Sequence, residues 1–361
     1  MRKDKKLIIN LKTYGLTAAF ETAAAKNADL DLARVTAQHR ERYQVITTSG
    51  ERTVTVTGKL SHQAMTPVDF PTVGDWVLVT PIKTTTEQSV ITTILPRHSV
   101  LARTAAGSDV TGQLIAANVD TLFICMALNA DFNVRRLERY LTMAWDSGAT
   151  PVIVLTKADL CQDLSDKLAA LADVAMGAEV VTCSMATGDG LSAVQAYTTA
   201  GKTVAFVGSS GVGKSTLINH LIGDDVLVTK TIRADDDKGR HATTARQLLL
   251  LPGGGIVIDT PGMRELQLYT GDLDRTFADI ATLAQQCKFR NCRHQSEPGC
   301  AVQAAIATGE LAMDRWESYQ KLQTELQYQG MTARERENAK IDRLFGGKTA
   351  MRQLLKSVKH R

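Results

Sequence analysis

The sequence predicts a multidomain chain with a small N-terminal antiparallel β-barrel, a central α/β domain and a C-terminal helical domain. Three observations support this fold class. Short runs of β-branched residues between turn signals fill residues 35–103, and apolar strands alternate with helical patterns over residues 104–275. Residues 276–361 are helical in pattern apart from one cluster of cysteine and histidine. At 361 residues, the chain is long enough for two or three hydrophobic cores.

Composition and charge are typical of a globular protein. Hydrophobic residues make up 44% of the chain, and no run approaches the roughly 20 apolar residues of a membrane span. The apolar run after the basic N-terminus is too short for a secretory signal, so we expect a cytoplasmic monomer without a membrane partner. The net charge of +4 is mild, but residues 331–361 are strongly basic. This tail forms either a solvated helix or a contact with a phosphate backbone.

The N-terminal region begins with an extension over residues 1–34, rich in Ala, Lys and Thr, in which we expect little core. Strand-like runs follow at residues 43–47, 53–58, 75–79 and 90–95, broken by turn signals. Five strands in about 70 residues fit an OB-fold, although periodicity alone does not separate it from an SH3-like barrel.

The central region alternates between strand and helix patterns. Strands are predicted at residues 119–128, 152–155, 179–183 and 203–208, and helices at residues 134–146, 164–174 and 190–199. The strands are apolar throughout, which is typical of a parallel sheet with helices on both faces.

A phosphate-binding motif follows the strand at residues 203–208. The stretch Gly208-Ser209-Ser210-Gly211-Val212-Gly213-Lys214-Ser215 matches GxxxxGK[ST], and a helical pattern starts at Thr216. Glycines let the backbone N–H groups face the β-phosphate. Lys214 would neutralise the β- and γ-oxygens, and the Ser215 hydroxyl would ligate Mg²⁺. The motif predicts a nucleoside triphosphate site.

A second phosphate element lies where another apolar strand ends, in Asp259-Thr260-Pro261-Gly262. Asp259 is placed to hold Mg²⁺ through water, and the N–H of Gly262 to meet the γ-phosphate. Residues 230–245 between the two motifs are polar and aperiodic, as expected of a mobile switch. Thr243 or Thr244 would complete the Mg²⁺ shell there. The sequence does not decide between them, and we favour Thr244.

Guanine specificity is predicted by a motif that precedes the phosphate loop. Thr156-Lys157-Ala158-Asp159 follows a buried strand and matches [NT]KxD, whose Asp accepts hydrogen bonds from guanine N1 and N2. Adenine lacks this donor pair, so ATP would leave a buried carboxylate unpaired, which costs several kcal/mol. Cys183-Ser184-Met185 fits the loop that contacts guanine O6.

The order of these motifs is unusual for a GTPase, because the two guanine elements usually follow the phosphate elements. The spacing is that of a circular permutation, which a domain tolerates when its termini lie close together. Many GTPases also carry a Gln after the DxxG glycine, whereas this chain has Met263, so we expect slow intrinsic hydrolysis. His241 in the predicted switch is a catalytic candidate, and packing or contact with a partner is the alternative role.

Cys287, Cys292, His294 and Cys300 form the cluster in the C-terminal region. Three thiolates and one imidazole are a complete tetrahedral ligand set for one structural Zn²⁺, with no position left for a catalytic water. In a reducing cytoplasm, clustered cysteines are more often metal ligands than disulfides. The alternative is a coincidental cluster of reduced cysteines.

Together these stretches resemble the ribosome small subunit-dependent GTPase A family, also called RsgA or YjeQ. The resemblance runs from about residue 35 to the C-terminus and is carried by VGDWV at 73–77, NVD at 118–120, TKADL at 156–160, GSSGVGKSTL at 208–217, GRHATT at 239–244, DTPGMREL at 259–266 and CKFRNCRHQSEPGCAV at 287–302. Ala242 stands where the family usually has Thr, which bears on the choice of Mg²⁺ ligand. The N-terminal extension is also less typical.

The resemblance implies an N-terminal OB-fold, a circularly permuted GTPase domain and a C-terminal zinc domain. It further implies late maturation of the small (30S) ribosomal subunit, contact with rRNA, and stimulation of GTP hydrolysis by that subunit. Two alternatives remain from the residues alone. A P-loop metabolic kinase would have no use for [NT]KxD, and a nucleotide-gated RNA-binding protein would hydrolyse GTP only incidentally.

Overall fold

A computed structural model of the chain describes residues 8–39, 42–82, 84, 87–104, 112–223, 246–260, 268–328 and 335. The strands in these ranges are β1 (Asp31–His39), β2 (Arg42–Thr47), β3 (Gly50–Val56), β4 (Trp76–Val79), β5 (Val90–Ile94), β6 (Val100–Thr104), β7 (Gly112–Ala117), β8 (Thr121–Ala127), β9 (Thr150–Thr156), β10 (Glu179–Thr182), β11 (Thr203–Val207), β12 (Arg246–Leu250) and β13 (Ile256–Asp259).

The α-helices in the same ranges are α1 (Ala18–Ala24), α2 (Gly58–Gln63), α3 (Val134–Ser147), α4 (Leu164–Leu171), α5 (Leu191–Gln195), α6 (Lys214–Ile222), α7 (Leu273–Thr276), α8 (Ala278–Gln285), α9 (Ala301–Thr308) and α10 (Met313–Gln327). None of these helices has the length and apolar character needed to cross a bilayer.

Five strands close the N-terminal barrel in the order β1-β2-β3-β5-β4-β1. Four of the five pairings are antiparallel, whereas β3 and β5 run parallel. Strand direction cannot alternate all the way around a closed ring with an odd number of strands. The expectation of a wholly antiparallel barrel is therefore wrong at this one pairing. Small and β-branched side chains such as Ala33, Val45 and Val77 fill the interior.

Residues 8–27 pack against this barrel. Leu11, in a 3-10 turn, and Phe20, in α1, are buried in an apolar cluster with Trp76 and Leu78. The expectation of little core before residue 35 does not match these buried side chains. The first barrel strand also begins before residue 35.

Strand β1 belongs to the barrel and to the central sheet at once. Its first half pairs with β4 from Asp31 to Arg34, and its second half pairs with β12 at Ala37 and Gln38. A bulge after Val35 in the pairing with β2 lies where the neighbour changes. The barrel and the central domain therefore share one eleven-stranded sheet.

The central part of this sheet has the order β10-β9-β8-β11-β13-β12. The first five strands are parallel, and β12 is antiparallel to β13. Apolar clusters cover both faces, which confirms the predicted arrangement. The predicted helix at residues 134–146 corresponds to α3, whereas β12 and the β6–β7 hairpin are not among the predicted strands. Ligands of such sheets bind beyond the carboxyl ends of the strands.

One buried guanidinium joins the barrel to the central domain. Arg34 donates from Nε to the Gly74 carbonyl at 3.2 Å and from Nη2 to the Thr203 hydroxyl at 2.9 Å. It also donates to the Tyr14 carbonyl and, at 3.4 Å, to the Asn118 carbonyl. Burial lowers the pKa of Arg34 to about 10, so the group is still charged at neutral pH. The contacts reach β11, the strand that leads into the phosphate loop.

The stretches VGDWV and NVD meet at this same junction. The Asn118 side-chain amide donates to the Gly74 carbonyl at 3.1 Å and accepts from the His98 N–H. Gly74 has φ +93°, and a Cβ there would lie 2.1 Å from the Ala117 carbonyl oxygen, so only glycine fits. The buried Asp75 carboxylate binds the Arg97 guanidinium through two contacts of 2.8 Å.

Candidate functional site

The sequence motifs gather at the carboxyl ends of the parallel strands. β11 ends at Val207 and α6 begins at Lys214, so residues 208–213 form the turn between them. A Cβ on Gly208, which has φ +140°, would lie 2.2 Å from the Cys125 carbonyl oxygen of β8. Glycine is therefore required where the loop leaves the sheet. The Lys214 ammonium donates to the carbonyls of Gly208 and Ser209 at 2.7 and 2.6 Å.

The two guanine elements lie beside the phosphate loop. Asp159, in a 3-10 turn after β9, accepts a hydrogen bond from the Ser184 hydroxyl at 2.5 Å through Oδ1. The Ala158 N–H donates to the Cys183 carbonyl at 3.2 Å, which joins the two loops. Lys157 adopts the left-handed conformation with φ +58°, and so turns the chain sharply before Asp159. The Ser184 hydroxyl thus fixes the orientation of the Asp159 carboxylate.

Thr156, the first residue of this motif, uses its side-chain hydroxyl as a hydrogen-bond donor. Its hydroxyl donates to the Val212 carbonyl at 2.5 Å and lies 3.4 Å from the Met126 carbonyl. Val212 belongs to the phosphate loop, so the guanine motif and the phosphate loop are tied together by a buried hydrogen bond. The sequence showed the motif but not this link.

The second phosphate element follows β13, the strand next to β11. Burial raises the pKa of Asp259, while the nearby Lys214 opposes that shift. Thr260 anchors the turn by donating to the Phe206 carbonyl at 2.8 Å. The negative charge of Asp259 and the positive charge of Lys214 therefore lie in the same part of the site. Five predicted site residues lie outside the described residues: His241, Thr243, Thr244, Gly262 and Met263.

Two functional candidates on α3 were missed by the sequence analysis. Arg136 Nη1 donates to the Ser209 hydroxyl at 2.5 Å, and Tyr140 lies near the same side chain. Ser209 is the second residue of the phosphate loop. The spacing of four residues puts both α3 side chains on one helix face, but nothing in the sequence indicates which loop that face meets.

The four residues of the C-terminal cluster come together in space. Their ligand atoms all lie within 4.8 Å of one another, and the His294 Nδ1 is 3.5 Å from the sulfurs of Cys287 and Cys300. Those two sulfurs are 3.9 Å apart. Sulfurs bound to one tetrahedral Zn²⁺ at about 2.3 Å lie roughly 3.8 Å apart, so the spacing fits zinc.

The local backbone favours the thiolate form of one cysteine in this cluster, Cys287. Burial alone would raise the pKa of Cys287, but N–H groups of Ala301 and Val302 at the start of α9 lower it. In contrast, burial and the neighbouring sulfurs raise the pKa of Cys292 to about 11. Three thiolates this close together repel one another unless a cation lies between them. The donor set is therefore suited to a metal ion.

Glu297 shapes the loop that carries the histidine. Its carboxylate accepts hydrogen bonds of 2.9 to 3.1 Å from the backbone N–H groups of Arg293, Gln295 and Ser296. These bonds hold the pKa of Glu297 down at about 2. His294 has φ +58°, a strained conformation that the Glu297 contacts help to maintain. The sequence analysis did not single out Glu297.

Comparisons with known proteins agree with one another. Residues 94–269 match the family model described as RsgA GTPase. A relative from Lactiplantibacillus plantarum, named small ribosomal subunit biogenesis GTPase RsgA 2, is 60% identical over 348 residues, which cover 96% of this chain and 98% of that protein.

Two solved structures are also similar to the chain. YjeQ from Thermotoga maritima aligns with a TM-score of 0.60 and 28% identity, over 82% of this chain and 98% of that one. YloQ, described as a circularly permuted GTPase, aligns with a TM-score of 0.58 and 24% identity, over 83% and 96% of the two chains. The likeness to YloQ supports a circularly permuted fold, and the likeness to YjeQ covers nearly the same share of the chain.

Proposed function

The chain belongs to the RsgA GTPase family, and on this basis we propose that it binds the small ribosomal subunit and hydrolyses GTP during late maturation of that subunit. The observation that carries the proposal is the grouping of phosphate loop and guanine motif through the bond from Thr156 to Val212. A site of this kind binds a guanine nucleotide. The ribosomal role is inferred from the name of the Lactiplantibacillus plantarum relative, a small ribosomal subunit biogenesis GTPase.

Each predicted residue of the nucleotide site has a role in this proposal. Backbone N–H groups of residues 208–216 hold the phosphates, and Lys214 neutralises them. Ser215, Asp259 and Thr244 or Thr243 would hold Mg²⁺, which stabilises the charge that develops on the phosphates. Asp159 and Ser184, with Cys183 and residues 156–158, bind the guanine base. Met263 cannot orient a water molecule, so hydrolysis is slow until the subunit stimulates it. His241 stays a candidate for that step.

The two flanking modules supply contacts with rRNA. The strand order of the barrel, with α2 between β3 and β4, is typical of an OB-fold. On the metal cluster, the exposed Phe289 ring is flanked by the exposed cations Lys288, Arg290 and Arg293. An aromatic ring among cations suits unpaired bases and phosphates. Apart from residue 335, the basic tail at 331–361 lies outside the described residues.

The metal cluster has a structural role in this proposal. Cys287, Cys292, His294 and Cys300 would hold one Zn²⁺, which supplies a rigid fold for residues 287–300 and no chemistry. A GTPase that acts on ribosomal subunits works in the cytoplasm, and one chain suffices for the whole site.

The proposal is tested by turnover with and without purified small subunits. We expect slow hydrolysis by the protein alone and a large rise on addition of subunits, whereas large subunits should have no effect. Asp159→Asn should shift preference from guanine toward xanthine nucleotides, because the amide matches the altered donor pattern of that base. Equal affinity of the unmodified protein for ATP and GTP would contradict the guanine assignment. Subunit binding without any stimulation would favour the nucleotide-gated RNA-binding alternative.

A further inference from the structure

Helix α3 touches the phosphate loop with one of its faces. Arg136 Nη1 donates to the Ser209 hydroxyl at 2.5 Å and to Asp131 Oδ1 at 2.8 Å. One turn further along, Tyr140 lies near the same serine, and burial raises the pKa of Tyr140 to about 12. The phenol is therefore neutral at physiological pH. Arg136 of α3 thus holds one residue of the loop, with Tyr140 beside it.

Ser209 stands between α3 and the ammonium group that meets the phosphates. Its hydroxyl faces α3, while its carbonyl accepts from Lys214 Nζ at 2.6 Å. A phosphate oxygen that binds Lys214 competes with this carbonyl for the same protons. A change at the phosphates therefore alters the hydrogen bond that the Ser209 carbonyl accepts from Lys214. Because the Ser209 hydroxyl accepts from Arg136, a shift of Ser209 also shifts Arg136.

A second face of α3 is attached to the C-terminal helices through a buried carboxylate. Glu138 is fully buried and accepts from Arg315 Nη1 at 2.8 Å, from the Ser318 hydroxyl and from Arg135. Arg315 and Ser318 belong to α10. Arg315 also binds the Asp279 carboxylate on α8 at 2.6 and 2.8 Å. One buried network therefore connects α3 to two helices of the C-terminal module.

A further contact brings in the segment after the second phosphate element. Glu325 of α10 accepts from Arg139 Nη1 at 2.6 Å and from the Leu268 backbone N–H at 2.9 Å. Leu268 lies in the chain after Asp259, and its carbonyl accepts from the Thr104 hydroxyl at 2.8 Å. Glu325 is thus shared between α3 and the chain that follows β13.

We propose that α3 couples the phosphate loop to the C-terminal module, with Arg136 as the positioning residue at the loop and the Glu138–Arg315 pair as the attachment to α10. The helix suits this role because Leu137, Leu141 and Ala144 bury its remaining face, so it moves as one body. The coupling rests on the proposed function, since it assumes that GTP and GDP occupy the loop. It adds a route of communication between the phosphate loop and the C-terminal module. This route runs through residues that are far in sequence from the predicted switch at 230–245 and from the second phosphate element.

The test is hydrogen–deuterium exchange on the full-length protein with GDP and with a non-hydrolysable GTP analogue. In the unmodified protein, we expect the amides of α10 to exchange at least about 5-fold more slowly in one nucleotide state than in the other, the lower end of typical couplings. In Arg136→Ala, that difference should disappear while either nucleotide still protects the amides of α6. Arg136→Lys keeps the charge and should restore part of the difference. Asp146→Asn, an exposed change on α3, is the matched control and should behave as the unmodified protein.

A kinetic measurement separates positioning from mere stability. Arg136→Ala should lower subunit-stimulated kcat by about 5-fold or more and leave KM for GTP nearly unchanged. Glu138→Gln, at the other end of α3, should give the same pattern. The coupling would be overturned if the exchange of α10 amides still differed between the two nucleotide states in Arg136→Ala. It would also be overturned if nucleotide protected α6 in the unmodified protein but the exchange of α10 did not differ between the two states. Absence of any protection by nucleotide would overturn the proposed function itself, and the coupling with it.

Discussion

The two junctions of the central domain are built in different ways. The barrel joins it through backbone groups: β1 pairs with β12, and Arg34 donates mainly to carbonyls. The C-terminal helices join it through side chains: Trp316 and Leu322 share one buried apolar cluster with Leu137 of α3, and the charged pairs Glu138–Arg315 and Arg139–Glu325 lie beside it. Backbone pairing between strands is lost only when the strands themselves unfold. Side-chain contacts such as ion pairs can exchange partners while the helices stay folded. The barrel and the central sheet are thus continuous in backbone pairing, whereas the C-terminal module is attached largely through side chains, and we expect this module to be the part that responds to nucleotide.

Removing the metal should have the largest effect. It should disrupt the C-terminal module and leave the junction between the barrel and the central domain intact. Structural zinc contributes on the order of 10 kcal/mol to the folding of small modules. We expect chelation, or Cys292→Ser, to unfold residues 287–300 and to release one zinc per chain. Metal analysis and limited proteolysis measure this. Cys161→Ser is the matched control, because that thiol is remote from the cluster in the sequence. Loss of the barrel along with the module would show that the two junctions are not independent.

Arg34→Ala should weaken the barrel junction most strongly. The change removes the donor from the Tyr14 and Asn118 carbonyls and from the Thr203 hydroxyl, and each buried unsatisfied group costs about 1–3 kcal/mol. We expect the free energy of unfolding to fall by about 4 kcal/mol in denaturant titration. Arg42→Ala, an exposed change on β2, should cost less than about 0.5 kcal/mol. A loss of similar size in both variants would contradict the special role of the buried guanidinium.

Arg315→Ala should loosen the other junction by about 3 kcal/mol, since it leaves Glu138 buried with fewer partners. The loss should appear as a separate early transition of the C-terminal helices, with the main transition unchanged. Lys321→Ala, exposed on the same helix, serves as control. In a double-mutant cycle with Glu138→Gln, the coupling energy should reach about 0.5–3 kcal/mol. A coupling near zero would mean that the pair does not hold the junction.

Glu297→Gln should have the smallest effect in this series. The amide keeps the size of the side chain but loses the charge that binds three N–H groups around His294. Changes of this kind next to a metal ligand lower metal affinity by about 10-fold to 100-fold, and we expect the lower value. Competition with a zinc chelator measures it, with Glu310→Gln as the exposed control. Unchanged affinity would show that the backbone alone keeps His294 in place.

The sequence was most informative where the interacting residues are close along the chain. The helix at 134–146, the parallel strands of the central sheet and the cluster from Cys287 to Cys300 all follow from local spacing. Contacts between distant segments leave no such pattern. Arg136 and Ser209 are 73 residues apart, and Arg34 and Thr203 are 169 apart. Each of these arginines looks like an ordinary polar residue of its helix or strand, because burial depends on what packs against it.

The pairing of β1 with β12 also has a consequence for synthesis of the chain. About 210 residues separate Ala37 from its partner Gln247. At roughly 5–20 residues per second, a ribosome needs about 10–40 s to make the intervening chain. During that time the barrel strands are complete but the second half of β1 has an open edge, and open edges recruit other strands. A nascent or truncated chain that stops before β12 should therefore be the form most prone to aggregate.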